Sequence, residues 1–468
     1  MSRDRKRTLN WYQINDSEAI ARHLERMAER GWLLEKAGST LWTYRRGEPG
    51  PVKYAAACFP EASVFDAAPT PDQETYADYC RAGGWELAAA YGPLQIFRAT
   101  VPDPTPIETD EAAKLETIRR SMNKTFLLGF TLILASTGLN LWLRVESFRR
   151  GPLEFISRSS NLSLTLLLAG MTVYCAAFLL DYFIWLFRSR RAVERGGTCA
   201  RVHTRARLWM GWALMALCAL TLLGYLEDYA VPGTRWILLY AFGGVLLVLA
   251  ASQVVLRLLK NLACRRRTTR TVFLITVVVL SVLYAASLPL LMLGTQRVRF
   301  LRMDQEPAYV HTNQTSSGGS CEVDVYRDPL PITLEALGFE VTEEDQCSYR
   351  AKTDRSPLAT RTVCSQGPAE WSSDLPDLRY EACRIPWGWL RQLCWDLTVA
   401  PENSAAHYYG PDYAFPAEPP EGALEARRTE NGRRYALLDR EGVVLIYGSW
   451  DLTQAQVEII WENARAFR

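Results

Sequence analysis

Histidine is the scarcest chemistry-bearing residue in this chain. His23, His203, His311 and His407 are the only four among 468 residues, and they fall in four separate regions. Such a spread does not build a histidine metal centre. Cys199 and His203 stand four apart in an arginine-rich stretch, but no second ligand pair accompanies them. A phosphate loop, a G-x-S-x-G elbow and an H-E-x-x-H helix are also missing. The sequence therefore implies no enzyme, no cofactor and no metal. It also lacks a basic, aromatic-bearing face on a soluble segment, which argues against nucleic acid as a partner. The net charge is only +2. No secretory signal is visible, because residues 1–10 are charged and no apolar run follows them. The first membrane span is thus expected to direct insertion itself.

What the chain does have is five apolar stretches, roughly Thr125–Val145, Leu162–Phe187, Leu208–Tyr229, Arg235–Leu256 and Thr271–Gly294. Each is about 20 residues or longer, enough to cross a hydrocarbon core as a helix. Only helices satisfy their own backbone there when each run stands alone. The connections set a direction. Lys114, Arg119, Arg120 and Lys124 precede the first span. Arg188, Arg190, Arg191, Arg195, Arg201, Arg205 and Arg207 lie between the second and third. Arg257, Lys260, Arg265, Arg266, Arg267 and Arg270 lie between the fourth and fifth. The other connections carry fewer cations, and Glu146 and Glu154 partly offset Arg144, Arg149, Arg150 and Arg158. Cytoplasmic loops keep the excess of Lys and Arg. The expectation is a multi-pass protein of the cell membrane with its N-terminus cytoplasmic and its C-terminus extracytoplasmic, its basic loops against anionic lipid.

The sequence divides into a cytoplasmic α+β domain (1–110), a juxtamembrane helix (111–124), five transmembrane helices (125–294) and an extracytoplasmic α+β domain (295–468). Within residues 10–100 a repeat recurs at an offset of 53. Gly31-Trp32 matches Gly84-Trp85, Leu41 matches Leu94, and Tyr44-Arg45 matches Phe97-Arg98. Each copy reads as helix, Gly-Trp, then two short strands. The first helix covers Ser17–Arg30. The second starts at Thr70 as cap, with Pro71 at the first position and Gln73 closing a capping box. Gly31 and Gly84 stand where helices end on a left-handed residue. Two helices on one face of an antiparallel sheet follow from this pattern, with a ferredoxin-like arrangement as one form. Trp32, Trp42, Tyr44, Trp85 and Phe97 form either the core of that thin sheet or the wall of a groove for a cytoplasmic protein or ligand.

The runs Met27-Ala-Glu-Arg-Gly-Trp-Leu-Leu, Leu41-Trp-Thr-Tyr-Arg-Arg-Gly and Gly84-Trp-Glu-Leu through Gln95-Ile-Phe-Arg resemble the bacterial family known as domain of unknown function 2812. The resemblance covers roughly residues 10–125. It implies a soluble domain placed before several membrane spans, and a regulatory setting near PadR-type regulators. It assigns no catalytic residue.

A proline-rich stretch, Ala99–Asp110, leads into a helix, Glu111–Lys124, with Leu115, Ile118 and Met122 on one stripe. That helix either links the domain mechanically to the first span or lies passively at the interface. Asp181 is the one acid set well inside a span, since Glu227 and Asp228 stand at the very end of the third. It either marks a transport path or pairs with interfacial arginine at a packed helix contact.

In the C-terminal part, strands are expected at Glu322–Tyr326, Cys347–Thr353, Ala359–Cys364, Leu378–Cys383, Leu424–Thr429, Tyr435–Asp439 and Val443–Tyr447. Asn431-Gly432 turns a hairpin, and a last helix begins with Asp451 as cap. Five cysteines fall here, in a compartment where disulfides persist. Folding the chain about residues 355 and 356 sets Cys347 opposite Cys364, within reach of a disulfide. The pairing of Cys321, Cys383 and Cys394 stays open. The leading functional expectation is a membrane sensor or regulator, with a cytoplasmic partner bound through residues 10–100. The alternative is a component of a transporter or permease.

Overall fold

A computed structural model describes the chain except residues 1–3, 11, 40, 68, 201–203, 229–231, 297–306, 315–318, 371–372, 401–412 and 467–468. Trp11, Arg201, His203 and His407 of the sequence reading lie outside the described residues. The chain forms two compact units. One comprises Met1–Leu139, Leu168–Cys218 and Tyr240–Leu291, and the other Asn140–Leu167, Ala219–Leu239 and Met292–Arg468.

In the first unit the N-terminal domain runs β1 (Arg5–Leu9), α1 (Ser17–Glu29), β2 (Trp32–Lys36), β3 (Leu41–Arg46), β4 (Tyr54–Cys58), α2 (Pro71–Ala82), β5 (Trp85–Tyr91) and β6 (Leu94–Ala99). The repeat is deeper than helix–strand–strand, because each copy opens with a strand. The two copies build separate three-stranded sheets of the same order, β1-β3-β2 and β4-β6-β5. The second strand of each carries an irregularity at the same repeat position, between Leu34 and Lys36 and between Leu87 and Ala89. Gly31 and Gly84 both adopt positive φ, +76° and +89°, directly after their helices. A side chain there would be strained, so the Gly of each Gly-Trp pair is needed to turn the chain from helix to strand. Thr70 and Gln73 form the reciprocal capping box.

Two corrections to the single-sheet expectation follow. There are two sheets, and the helices do not share a face. Ile20, Leu24 and Met27 of α1 pack with Leu34, Trp42 and Tyr44 of the first sheet and Tyr54, Leu94 and Ile96 of the second. The opposite face of the second sheet, Ala57 and Phe97, packs with Cys80 and Trp85 beside Tyr76 of α2. Alternate residues of β4 and β6 thus feed different cores, as strand geometry requires.

Five helices are long and apolar enough to cross a membrane. α3 (Glu111–Met122) passes through a π-helical turn (Asn123–Leu127) into α4 (Leu128–Arg150). After the short α5 (Pro152–Ser157) come α6 (Ser159–Glu194), α7 (Thr204–Asp228), α8 (Pro232–Asn261) and α9 (Arg266–Gln296). At most 17% of any span's most apolar window is buried. Helices so apolar and so little covered suit hydrocarbon surroundings rather than a water-soluble helical core. Small residues allow close approach: Gly170 lies against Leu217, and Gly244 against the Tyr284 ring.

In the second unit β7 (Tyr309–Gln314) and β8 (Ser320–Val325) form a hairpin. They are followed by β9 (Ser348–Arg355), β10 (Thr360–Gly367), β11 (Leu378–Arg384), α10 (Gly388–Val399), β12 (Phe415–Pro416), β13 (Glu425–Arg428), β14 (Arg434–Leu438), β15 (Gly442–Gly448) and α11 (Gln454–Ala466). Seven of these strands make one antiparallel sheet in the order β12-β13-β14-β15-β11-β10-β9. Val457, Ile460 and Trp461 of α11 cover one face over Tyr380, Leu437 and Val444. Leu390, Cys394 and Trp395 of α10, with Leu153, Phe155 and Ile156 of α5, cover part of the other, over Cys383, Leu438 and Val443. The segment joining the first two spans is therefore built into the core of the C-terminal domain. The cap of α11 is Thr453, not Asp451: Thr453 Oγ1 accepts from Gln456 N–H, and the Gln456 side chain accepts from Thr453 N–H. Asp451 pairs with Arg433 instead.

The Cys347–Cys364 bridge is overturned. Cys364 stands opposite Ala351, and Arg355 opposite Thr360. The turn closes two residues later than expected, with Ser356 N–H donating to Ala359 O and the Ser356 hydroxyl accepting from Leu358 and Ala359 N–H. Cys347 keeps the right side of the sheet but sits four residues along, about 13 Å away. Both thiols are buried and unbridged. Burial pushes each of them up to about 11.

Candidate functional site

The site is the junction in the first unit between the N-terminal domain and the helix ends below it. α3 starts at Asp110, whose carboxylate accepts from Ala112 and Ala113 N–H. Its stripe Leu115, Ile118 and Met122 is buried against Ile14 and Cys58 of the domain and Phe178, Tyr182 and Trp185 of α6. The stripe was legible from spacing; its partners on α6, 60 residues away in the chain, were not. Phe130 of α4 stacks on Phe178 at 3.7 Å between centroids. The hydroxyl of Ser121, fully buried on α3, lies 3.0 Å from Cys58 Sγ. α3 is accordingly clamped from both sides and is not a loose interfacial segment.

Polar contacts tie in the connection after α6. Trp185 Nε1 donates to Ala200 O at 2.8 Å, Ala200 N–H to Ser189 Oγ at 3.0 Å, and Cys199 N–H to Glu111 Oε2 at 2.9 Å. Burial works against the Glu111 carboxylate, but the Cys199 contacts and Lys114 outweigh it and hold it below the usual carboxylate range. Burial, reinforced by Glu111, pushes the Cys199 thiol up to about 12. Burial does the same to Cys58, with the Ser121 hydroxyl working against it. In this junction the thiols serve as packing and hydrogen-bonding groups. The connection before α9 is tied as well: Arg266 reaches Glu61 O at 2.7 Å and Asp66 at 3.6 Å, and Phe65 meets Phe273. Asn15 is buried without a protein partner for either amide atom. It lines a cavity of about 20 Å³ with Asp16, Lys114, Trp185 and Cys199, room for about one water.

The other sequence-derived residues are distributed differently. Trp42 and Tyr44 belong to the α1 core, and Trp85 and Phe97 to the α2 core. Trp32, the repeat mate of Trp85, is only half-buried beneath Lys6. Trp85 is covered because Thr105 of the proline-rich linker accepts from its Nε1. The five rings therefore line no common wall. Asp181 is half-buried on α6, next to the buried Tyr182. Among the described residues no group of three or more His, Cys, Asp or Glu could hold a metal ion.

At the other end of its path α6 is also fixed. Within the second unit, Asp228 at the end of α7 accepts from Ser159 N–H at 3.0 Å and Ser160 N–H at 2.7 Å, capping α6. Ser159 Oγ donates to Arg355 O, Ser356 Oγ to Ile156 O, and Arg158 pairs with Asp354.

Nothing matches the chain among curated proteins or among solved structures. A family model described as Protein of unknown function (DUF2812) matches residues 16–130, from the start of α1 through α3 and the π turn into α4. Over those residues, which hold most of the first repeat, the whole of the second and the clamp helix, the chain is similar to that family.

Proposed function

We propose that the protein is a membrane sensor or regulator in which an extracytoplasmic C-terminal domain biases a cytoplasmic N-terminal domain that binds a protein partner. The observation that carries this reading is the double anchoring of the helices. α3, the clamp helix of the N-terminal domain, continues without a loop into α4, and α4 leads into α5, a core element of the C-terminal domain. The arginine-rich connections after α6 and before α9 are the ones bonded to the N-terminal domain, which supports a cytoplasmic place for it.

A helical path of this kind transmits a change only if loosening one end is felt at the other. Asp228→Ala removes the acceptors that cap α6. In the full-length protein in nanodiscs, amide exchange of α3 residues 111–122 is expected to rise several-fold relative to wild type. Unchanged exchange in α3, with increased exchange at residues 159–163, would show that the cap is local and would contradict the coupling.

A further inference from the structure

One transverse row of the seven-stranded sheet carries three arginines. Ser365 of β10 stands opposite both Arg350 and Arg379, and Tyr447 of β15 stands opposite both Arg379 and Arg434. Directly opposed side chains share a face, so the row reads Arg350, Ser365, Arg379, Tyr447, Arg434 across five strands. It lies on the face that α10 and α5 cover only further along, over Cys383, Val443 and Leu438. Among the described residues no helix covers the face at this row. A cavity of about 380 Å³ is lined by Arg379, Glu381, Tyr413, Arg434, Leu445 and Tyr447.

Among the described lining residues two arginines stand against one acid. Glu381 is spent on a two-point pair with Arg361, at 2.6 and 2.8 Å. Asp377, the residue before β11, lies against Gly367. Arg379 is exposed. The Arg434 guanidinium stacks on the Tyr447 ring at 4.9 Å, which orients its planar fork. Arg379 and Arg434 are two strands apart, so roughly 10 Å separates their backbones. Tyr447, Leu445 and the buried Tyr413 supply an aromatic and apolar surface between and beside them. Guanidinium forks match carboxylate and phosphate two-point.

We propose that this groove binds a soluble organic dianion: two carboxylate or phosphate groups carried on a planar apolar body, one group held by Arg379 and the other by Arg434. The body lies over Tyr447 and Leu445. A lipid headgroup is the less suitable source. The strand end bonded to α5 and Arg158 is the turn after Arg355, and Arg350 sits about 13 Å along β9 from Asp354. The proposal deepens the sensor reading by giving the C-terminal domain a ligand class.

The test is calorimetric titration of the full-length protein in neutral-lipid nanodiscs with terephthalate, the matching aryl bisphosphate, and benzoate. Terephthalate or the bisphosphate should bind saturably, about tenfold or more tighter than benzoate, and the stronger of the two identifies the anion. Arg379→Gln and Arg434→Gln should each weaken that binding about tenfold, or 1.4 kcal/mol. Arg379→Lys, which keeps the charge without the fork, should fall between. Arg384→Gln, an exposed arginine of β11 outside the row, should leave it unchanged. The proposal is overturned by no saturation up to about 10 mM, well past the range of weak specific sites. Equal affinity for benzoate, an equal loss in Arg384→Gln, or binding that appears only with anionic lipid would each overturn it too. None of these outcomes depends on which side of the membrane the domain occupies, so failure here leaves the coupling and orientation of the sensor reading to their own experiments.

Discussion

Glu381→Ala is expected to destabilise the C-terminal domain by about 3–5 kcal/mol, because it strands a buried cation. Arg361 and Glu381 side chains are 7% and 10% exposed, and both nitrogens of the fork reach the carboxylate. Burial works against the Arg361 cation, and the Glu381 carboxylate outweighs it, so the guanidinium stays charged. Asp354 cannot take over. It stands 3.5 Å from Arg361 but also serves Arg158 and Lys352. The compensating variant separates loss of a pair from creation of an orphan. Arg361→Met with Glu381→Leu removes both charges and should recover most of the loss, since well-packed apolar replacements of buried pairs are often neutral. Denaturant titration of the three proteins in one detergent measures this. A double variant no better than Glu381→Ala would mean that the pair itself, not the stranded charge, holds the sheet.

The second large effect belongs to Trp42→Ala in the N-terminal domain, at about 3–5 kcal/mol, the usual range for emptying a large core site. Trp42 is 2% exposed, donates from Nε1 to Gly38 O, and packs with Tyr12 and His23. Its removal opens the space that α1 shares with both sheets. Trp32→Ala is the internal control, because the same ring in the neighbouring strand is only half-buried and should cost clearly less. Protection of the buried Cys80 thiol through a urea series, read by alkylation, reports both variants in the intact protein. Equal losses would contradict the assignment of Trp42 to the core and Trp32 to the rim.

The parts of this fold that were readable from sequence are those whose signal is local. Apolar runs gave the five helices, Thr70 and Gln73 gave the start of α2, and Asn431-Gly432 gave the β13–β14 turn, where Gly432 has φ +63°. β1 escaped because Arg5-Lys6-Arg7-Thr8-Leu9 has no apolar side. It joins the sheet through backbone pairing with β3, as a charged edge strand. The disulfide failed on register: the side-chain period is 2, so residue types show which face a strand buries but not which of several even slips it adopts. The Ser356 hydroxyl decided that slip, by closing a turn that proline alone did not place. Leu115, Ile118 and Met122 of the junction were visible as a stripe, whereas Phe178, Tyr182 and Trp185 looked like any apolar span residues. The arginine row was invisible for the same reason as the register, because its members meet only once four strand pairings are fixed.

The sensor proposal requires one folded domain on each side of the membrane. The most direct test places a reporter active only in the cytoplasm, or a periplasm-type counterpart active only outside, after Asp110 and after Arg468. The account predicts cytoplasmic activity at Asp110 and external activity at Arg468. Activity on the same side at both positions would contradict it.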